Sequence, residues 1–222
     1  MASRWYGDHS NAPDVSPAYD AVWDVTHATP RGKLLLDKGT LDISTLRQMT
    51  DTVDGVAYYL FFQYVSEPLD SISATLAATK AVFQCRESNA KLNAYLHLVF
   101  RKCDGDGSNP VTIDSVTDDT EFVATDGNLV SRFISSSNLT DQALSQGDRF
   151  IIEVGLYSSY TKNSGYTADI YGYIDYTRAD LAENDTETPT YTPWIETGDT
   201  FTVASGDPPW EVVKLGPMFA FA

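Results

Sequence analysis

Hydrophobic and polar positions alternate with a period of two in several stretches of the chain, the spacing expected of half-buried strands. Within 92–101, Ala94, Leu96, Leu98 and Phe100 fall on one face, and Asn93, Tyr95, His97, Val99 and Arg101 on the other. Arg149–Leu156 repeats the pattern with Phe150, Ile152, Val154 and Leu156 inward. Residues 168–175 do so again, with Ile170, Gly172 and Ile174 inward and Tyr171 and Tyr173 outward. Ala57–Val65 is apolar and aromatic between Gly55 and Pro68, a buried-strand signal. Shorter candidates lie at 72–78, 80–86, 111–115, 120–124 and 129–134, and Asp104–Pro110 and Gln146–Asp148 supply turn chemistry. Only 39–50 hints at a short helix. The pattern predicts an all-β fold, an antiparallel β-sandwich of jelly-roll type. Its core should be lined by Leu96, Leu98, Phe100, Phe150, Ile152, Val154, Ile170 and Trp194.

The two ends lack this period. Residues 1–56 are interrupted by Pro13, Pro17 and Pro30 and read as an N-terminal arm or lead-in. The arm carries Trp5, Tyr6, Tyr19 and Trp23, whereas disordered tails are poor in aromatics, so it is expected to pack against something. Residues 57–197 form the sandwich domain. Residues 198–222 are broken by Gly198, Gly206, Pro208, Pro209, Gly216 and Pro217, yet are too apolar to remain in water. They read as an assembly tail. Trp5, Tyr6 and Trp23 in the arm and Trp210, Met218, Phe219 and Phe221 in the tail are the expected contacts to neighbouring subunits.

Charge narrows the partners. Fifteen Lys and Arg against 31 Asp and Glu give a formal net charge of −16. Such a field repels nucleic-acid phosphates and anionic lipid, and the basic residues are scattered, so neither nucleic acid nor a membrane is an expected partner. The start Met1-Ala-Ser-Arg-Trp-Tyr lacks the apolar run of a signal peptide, and synthesis in the cytoplasm is expected.

Candidate chemistry is sparse. No Ser stands in a Gly-x-Ser-x-Gly elbow, and His9, His27 and His97 have no context suggesting a triad. There is no Cys-x-x-Cys and no His-x-x-x-His. Asp104-x-Asp106-x-Ser108 resembles the start of a calcium loop, but Asn109 and Ser115 occupy the positions that need Gly and Glu, so a hairpin turn is expected instead. No catalytic residue, metal or cofactor is therefore expected, and the chain does not read as an enzyme. Cys85 and Cys103 flank an expected hairpin turning near Ser88–Asn89. In that register they lie roughly 33 Å apart at ~3.3 Å per residue, so both are expected to be reduced.

Tyrosines are concentrated around the expected 149–175 hairpin. Tyr157, Tyr171 and Tyr173 with Asp169 and Asp175 have the composition of a sugar-binding platform, rings for the apolar face of a pyranose and acids for its hydroxyls. Cross-strand aromatic pairing or a tyrosine-rich protein interface accounts for the same residues.

The stretch Leu181-Ala-Glu-Asn-Asp-Thr-Glu-Thr-Pro-Thr-Tyr-Thr-Pro-Trp-Ile-Glu196, with Glu87-Ser-Asn-Ala90 and Gln146-Gly-Asp-Arg149, resembles a group of uncharacterised β-sandwich proteins encoded among tailed-bacteriophage structural genes. The resemblance covers about 57–197 and brings no activity and no catalytic residues. It implies a virion component, a capsid decoration or tail accessory protein, assembled with copies of itself and other virion proteins. A carbohydrate-binding module for host attachment is the alternative, with a glycan as partner. The motif itself reads as a closure: Asn184, Asp185 and Thr186 favour turns, Pro189 and Pro193 hold the chain extended, and Trp194–Ile195 enter the core as an edge strand.

Overall fold

Period-two patterning turns into strands at every place where an apolar face finds a partner. The computed structural model describes residues 2–38, 43–70, 79–124, 128–136, 144–160, 165–174, 178–186, 191–198 and 201–203. Twelve strands occur in it: β1 (Ser3–Asp8), β2 (Val25–Thr26), β3 (Arg31–Leu35), β4 (Ile43–Thr50), β5 (Ala57–Ser66), β6 (Thr79–Glu87), β7 (Ala94–Cys103), β8 (Val111–Glu121), β9 (Val130–Ser136), β10 (Arg149–Ser158), β11 (Thr167–Ile174) and β12 (Trp194–Thr197). A 3-10 turn, Ala90–Leu92, is capped by the Asn89 side chain accepting from the Lys91 amide. The fold is all-β, as the patterning predicts.

The strands follow one path, β4-β11-β6-β12-β1-β3-β5-β10-β7-β8, with β9 added to β6 and β2 to β5. The path folds over at β1. Ser3–Trp5 pair antiparallel with β12 in one half, and Tyr6–Asp8 pair with β3 in the other. The two halves face each other across the main core, where Leu96, Leu98, Phe100, Phe150, Ile152 and Val154 meet Ala81, Phe83, Cys85 and Ile170. Close approach shows at Gly172 of β11, where an added Cβ would lie 2.5 Å from the Tyr64 hydroxyl of β5. Trp5 reaches the same core and packs on Phe150 and Phe201, at ring separations of 5.8 and 5.4 Å.

Several expectations change here. The sandwich is mixed, because β2 and β3 both run parallel to β5. Residues 43–50 are a strand paired with β11 along their length, and the rest of the expected helix lies outside the described residues. The 72–78 candidate also lies outside them. β6 and β7 make no hairpin: β6 pairs with β9, β11 and β12, while β7 pairs with β8 and β10. β10 and β11 are likewise split between the halves. Cys85 and Cys103 are both free and buried, but they are separated by lying in opposite halves, not by distance along a hairpin. Burial pushes the Cys103 thiol up to about 11 and Cys85 well above its usual value. The Asp104–Asn109 segment is the β7–β8 turn, with Gly107 and Asn109 at positive φ.

The N-terminal segment is not a separate arm. Its strands β1, β3 and β4 lie on the same path as the rest and β2 pairs with β5, and Trp5, Tyr6 and Trp23 are buried within the chain itself. The closure motif binds this segment. Trp194 is buried as expected, but in a second cluster with Tyr6, Val82 and Leu181, and β12 is an interior strand between β6 and β1. Trp194 Nε1 donates to the Leu181 carbonyl at 2.7 Å, and the Arg4 guanidinium lies 4.0 Å over the Trp194 ring while pairing with Asp180 and Glu196. Asp185 accepts from the Phe133 amide at 2.7 Å, tying the motif to β9.

Gly155 tests the packing of β10 on what covers it. An added Cβ would meet the Tyr59 carbonyl oxygen at 2.1 Å and the Trp23 ring at 2.5 Å. Gly155→Ala is expected to destabilise the fold by about 1–3 kcal/mol, read as a lower urea midpoint at unchanged slope.

Candidate functional site

On the outer face of β5, β10 and β7, Gln63 stands opposite Glu153 and Arg101 lies diagonal to it, and all three are buried: Glu153 is 0% exposed and Arg101 5%. Such groups require partners when buried. The partners come from residues 13–26, which cross this face as a strap. Glu153 accepts hydrogen bonds from Trp23 Nε1 at 2.5 Å, Gln63 Nε2 at 2.9 Å, Arg101 Nη1 at 2.9 Å and the Asp20 amide at 3.1 Å. Arg101 also donates to the Ala18 carbonyl at 2.6 Å, and Arg31 to the Pro17 carbonyl at 3.0 Å. Arg149 takes both oxygens of Asp14 at 2.8 Å, a bidentate pair. Apolar contacts run beneath: Val15 on Val65, Cys103 and Ile151, and Trp23, Tyr19 and Val22 on Leu60 and Val99.

The strap leaves the face at Asp24, whose amide and carboxylate bond the backbone of Tyr58. Beyond it the register sets Tyr58 of β5, Tyr157 of β10 and Tyr95 of β7 directly abreast. Tyr157 is 5.1 Å from Tyr58 and 6.2 Å from Tyr95, ring centre to ring centre, and all three are half-buried. His97 stands in the next row of the same face, edge-on to Tyr58 at 4.8 Å and to Trp23 at 5.3 Å, with Nδ1 2.8 Å from the Thr117 hydroxyl. Burial, with Tyr157 and Asp24 nearby, raises the Tyr58 phenol, and burial lowers His97 to about 4. Both are therefore neutral near pH 7.

The expected sugar platform is thus not assembled as a unit. Tyr157 is on this face, but Asp169 and Tyr171 are on β11 in the other half. Asp169 is buried, pairing with Arg86 at 2.5 Å and accepting from Gln48 at 2.9 Å, so it has no edge to offer a hydroxyl. The Tyr173 side chain and Asp175 lie outside the described residues, as do Trp210, Met218, Phe219 and Phe221. Tyr58 and Tyr95 replace them. Each stands at an outward position of an alternating or apolar run, but only strand order shows that they flank Tyr157.

Two further groupings escape the sequence. His9 and His27 meet on Arg47 of β4: Arg47 Nη1 is 2.6 Å from His27 Nδ1, which must accept because a guanidinium only donates. Burial and then Arg47 push His9 down to about 3 and lower His27. Glu87, 0% exposed at the β6–β7 corner, accepts from the Ala94 amide at 3.0 Å. Burial first, with Glu121 beside it, pushes its carboxyl up to about 8. Among the described residues no three His, Cys, Asp or Glu gather as metal ligands, and no helix is long and apolar enough to cross a membrane.

No family model and no curated protein matches the chain. Solved structures similar to it include an α-amino acid ester hydrolase, 9% identical over 78% of this chain and 34% of that one, at a TM-score of 0.46. A CocE/NonD family hydrolase from Staphylococcus aureus, SACOL2612, is 11% identical over 89% of this chain and 36% of its own, at a TM-score of 0.48. The infectious bursal disease virus Gx strain structure is 9% identical over 70% and 35%, at 0.26. The chain spans about a third of the length of each of these.

The shifted groups set opposite pH limits. The unfolded chain binds more protons than the folded one between about pH 6.5 and the lowered values of His97 and His9, so stability should fall as pH drops through that window. Glu87 acts in the other sense: the folded state holds its proton, and that contribution is lost as pH rises through about 8. Thermal unfolding against pH should show both limbs. Glu87→Gln is expected to flatten the alkaline limb and leave the acid one.

Proposed function

We propose that the chain is a non-enzymatic structural protein of a tailed-phage virion, a capsid decoration or tail accessory component that engages neighbouring subunits through its C-terminal segment. The observation that carries this reading is the apolar content of the C-terminal residues 204–222. Phe201 stacks on Phe150 at 6.1 Å and its amide bonds the Ser3 hydroxyl at 2.7 Å, and Val203 bridges to Leu69. By that point β1 and β12 have joined the two halves. Residues 204–222 carry Trp210, Val212, Val213, Leu215, Met218, Phe219 and Phe221 and lie outside the described residues. Burying each large side chain is worth ~1.5–3 kcal/mol, so four docked on a partner outweigh the ordering of a few residues at ~1–2 kcal/mol each. The resemblance of Leu181–Glu196 to phage structural-gene products supports the same reading, with virion localisation and copies of itself and other virion proteins as partners. Trp5, Tyr6 and Trp23 are not part of this interface, because the chain's own core occupies them.

A second reading, a carbohydrate-binding module for host attachment, is favoured by the tyrosine row that the strap leaves uncovered.

Deletion of 204–222 tests the first reading. The shortened chain should unfold at nearly the same temperature as the full one but fail to incorporate into particles. Normal incorporation would overturn the assembly role, and failure to fold would assign the segment to the core.

A further inference from the structure

The strap covers the outer face of β5, β10 and β7 from Asp14 to Asp24 and then turns away into β2. The next row of that face, Tyr58–Tyr157–Tyr95, lies beyond the strap and is only partly buried among the described residues. An uncovered end of a sheet needs polar or amphipathic side chains, and Ser or Thr would suffice. Three tyrosines in one lateral register instead present a continuous strip of ring surface with hydroxyls along it.

The strip is also held in place. Tyr58 is braced from the next row of the same face by His97, and neighbouring rings lean on one another with planes inclined by 44° and 39°. Tyrosine rings fixed in this way offer contact area at small cost in side-chain freedom. Carboxylates stand at both ends, Asp24 bonded to the Tyr58 amide and Glu121 opposite Tyr95 on β8, with exposed Thr117 opposite His97. Rings spaced 5.1 and 6.2 Å apart, about one sugar ring per step, suit a chain of pyranoses lying across the strands. Acceptors at the ends suit its hydroxyls. The flanking carboxylates and the net charge of −16 oppose an acidic ligand.

We propose that the Tyr58–Tyr157–Tyr95 row binds a neutral polysaccharide, stacking successive sugar rings on the three tyrosines with hydroxyls directed to Asp24 and Glu121. This rests on the second reading above and assigns it a site and a ligand class.

Electrophoresis of the full chain through native gels containing hydroxyethyl cellulose, galactomannan or polygalacturonate tests both. Retardation is expected in at least one neutral gel and not in polygalacturonate. Tyr157→Ala should weaken it about tenfold, the loss of one stacked ring, while Tyr157→Trp retains it. Tyr95→Ala serves as an independent variant if Tyr157→Ala unfolds. Retardation in a neutral gel that neither alanine variant alters would overturn the site and leave the attachment reading standing. Stronger retardation by polygalacturonate would overturn the ligand class. No retardation in any gel would overturn both this site and the reading it rests on.

Discussion

A carboxylate at zero exposure in the middle of a central strand is tolerated only when hydrogen bonds and a counter-charge offset its desolvation. Glu153 occupies that position in β10, and its needs organise one whole side of the molecule. Arg101 and Gln63 answer from the neighbouring strands, but Trp23 and the Asp20 amide come from a segment more than a hundred residues earlier in the chain. The strap is therefore a requirement of the sheet, and in reaching Glu153 it also buries Leu60, Val65, Val99 and Ile151. Removing Trp23 or Arg101 would leave a buried acid under-satisfied, which costs more than the contact itself is worth.

The other half depends on the meeting of the two ends of the described chain. Ser3–Trp5 lie against Ile195–Thr197 across a sequence separation of nearly the full domain, with Trp5 Nε1 donating to the Thr197 hydroxyl at 3.2 Å. Arg4 caps Trp194 from outside while Trp5 enters the core from the same short strand, an alternation that lets six residues join both halves. Few of these pairings are local, so the chain must close long loops before its core is rewarded.

These two constraints share the aromatic residues between stability and surface. Trp5, Tyr6, Trp23 and Trp194 are consumed in joining segments, while Tyr58, Tyr95 and Tyr157 stay half-exposed where the strap ends. The proposed attachment strip is what remains of the outer face after Glu153 has drawn its cover. The proposed assembly segment, 204–222, holds a further group of large apolar residues in the sequence.

Strand positions and inward faces were legible in the sequence because alternation is a local consequence of burying one side of a pleat: Leu96, Leu98, Phe100, Phe150, Ile152, Val154 and Ile170 all line the main core as their spacing predicts. The Asn184–Thr186 turn and the burial of Trp194 were likewise legible, since turn chemistry is local, but β12 is an interior strand where an edge strand was expected, and Pro189 lies outside the described residues. Partner strands were not legible. Alternation is identical whether β6 turns back on β7 or crosses to the opposite half, and nothing local distinguishes the two. The same limit hid the site. Glu153 and Arg101 stand at positions that alternation assigns to solvent, and only the arrival of the strap makes them buried. Tyr157 carries the same signal as Tyr171, yet strand order sets one beside Tyr58 and Tyr95 and the other in the far half. A side chain's face is decided by its own neighbours in sequence, whereas its companions on that face are decided by contacts made across the whole chain.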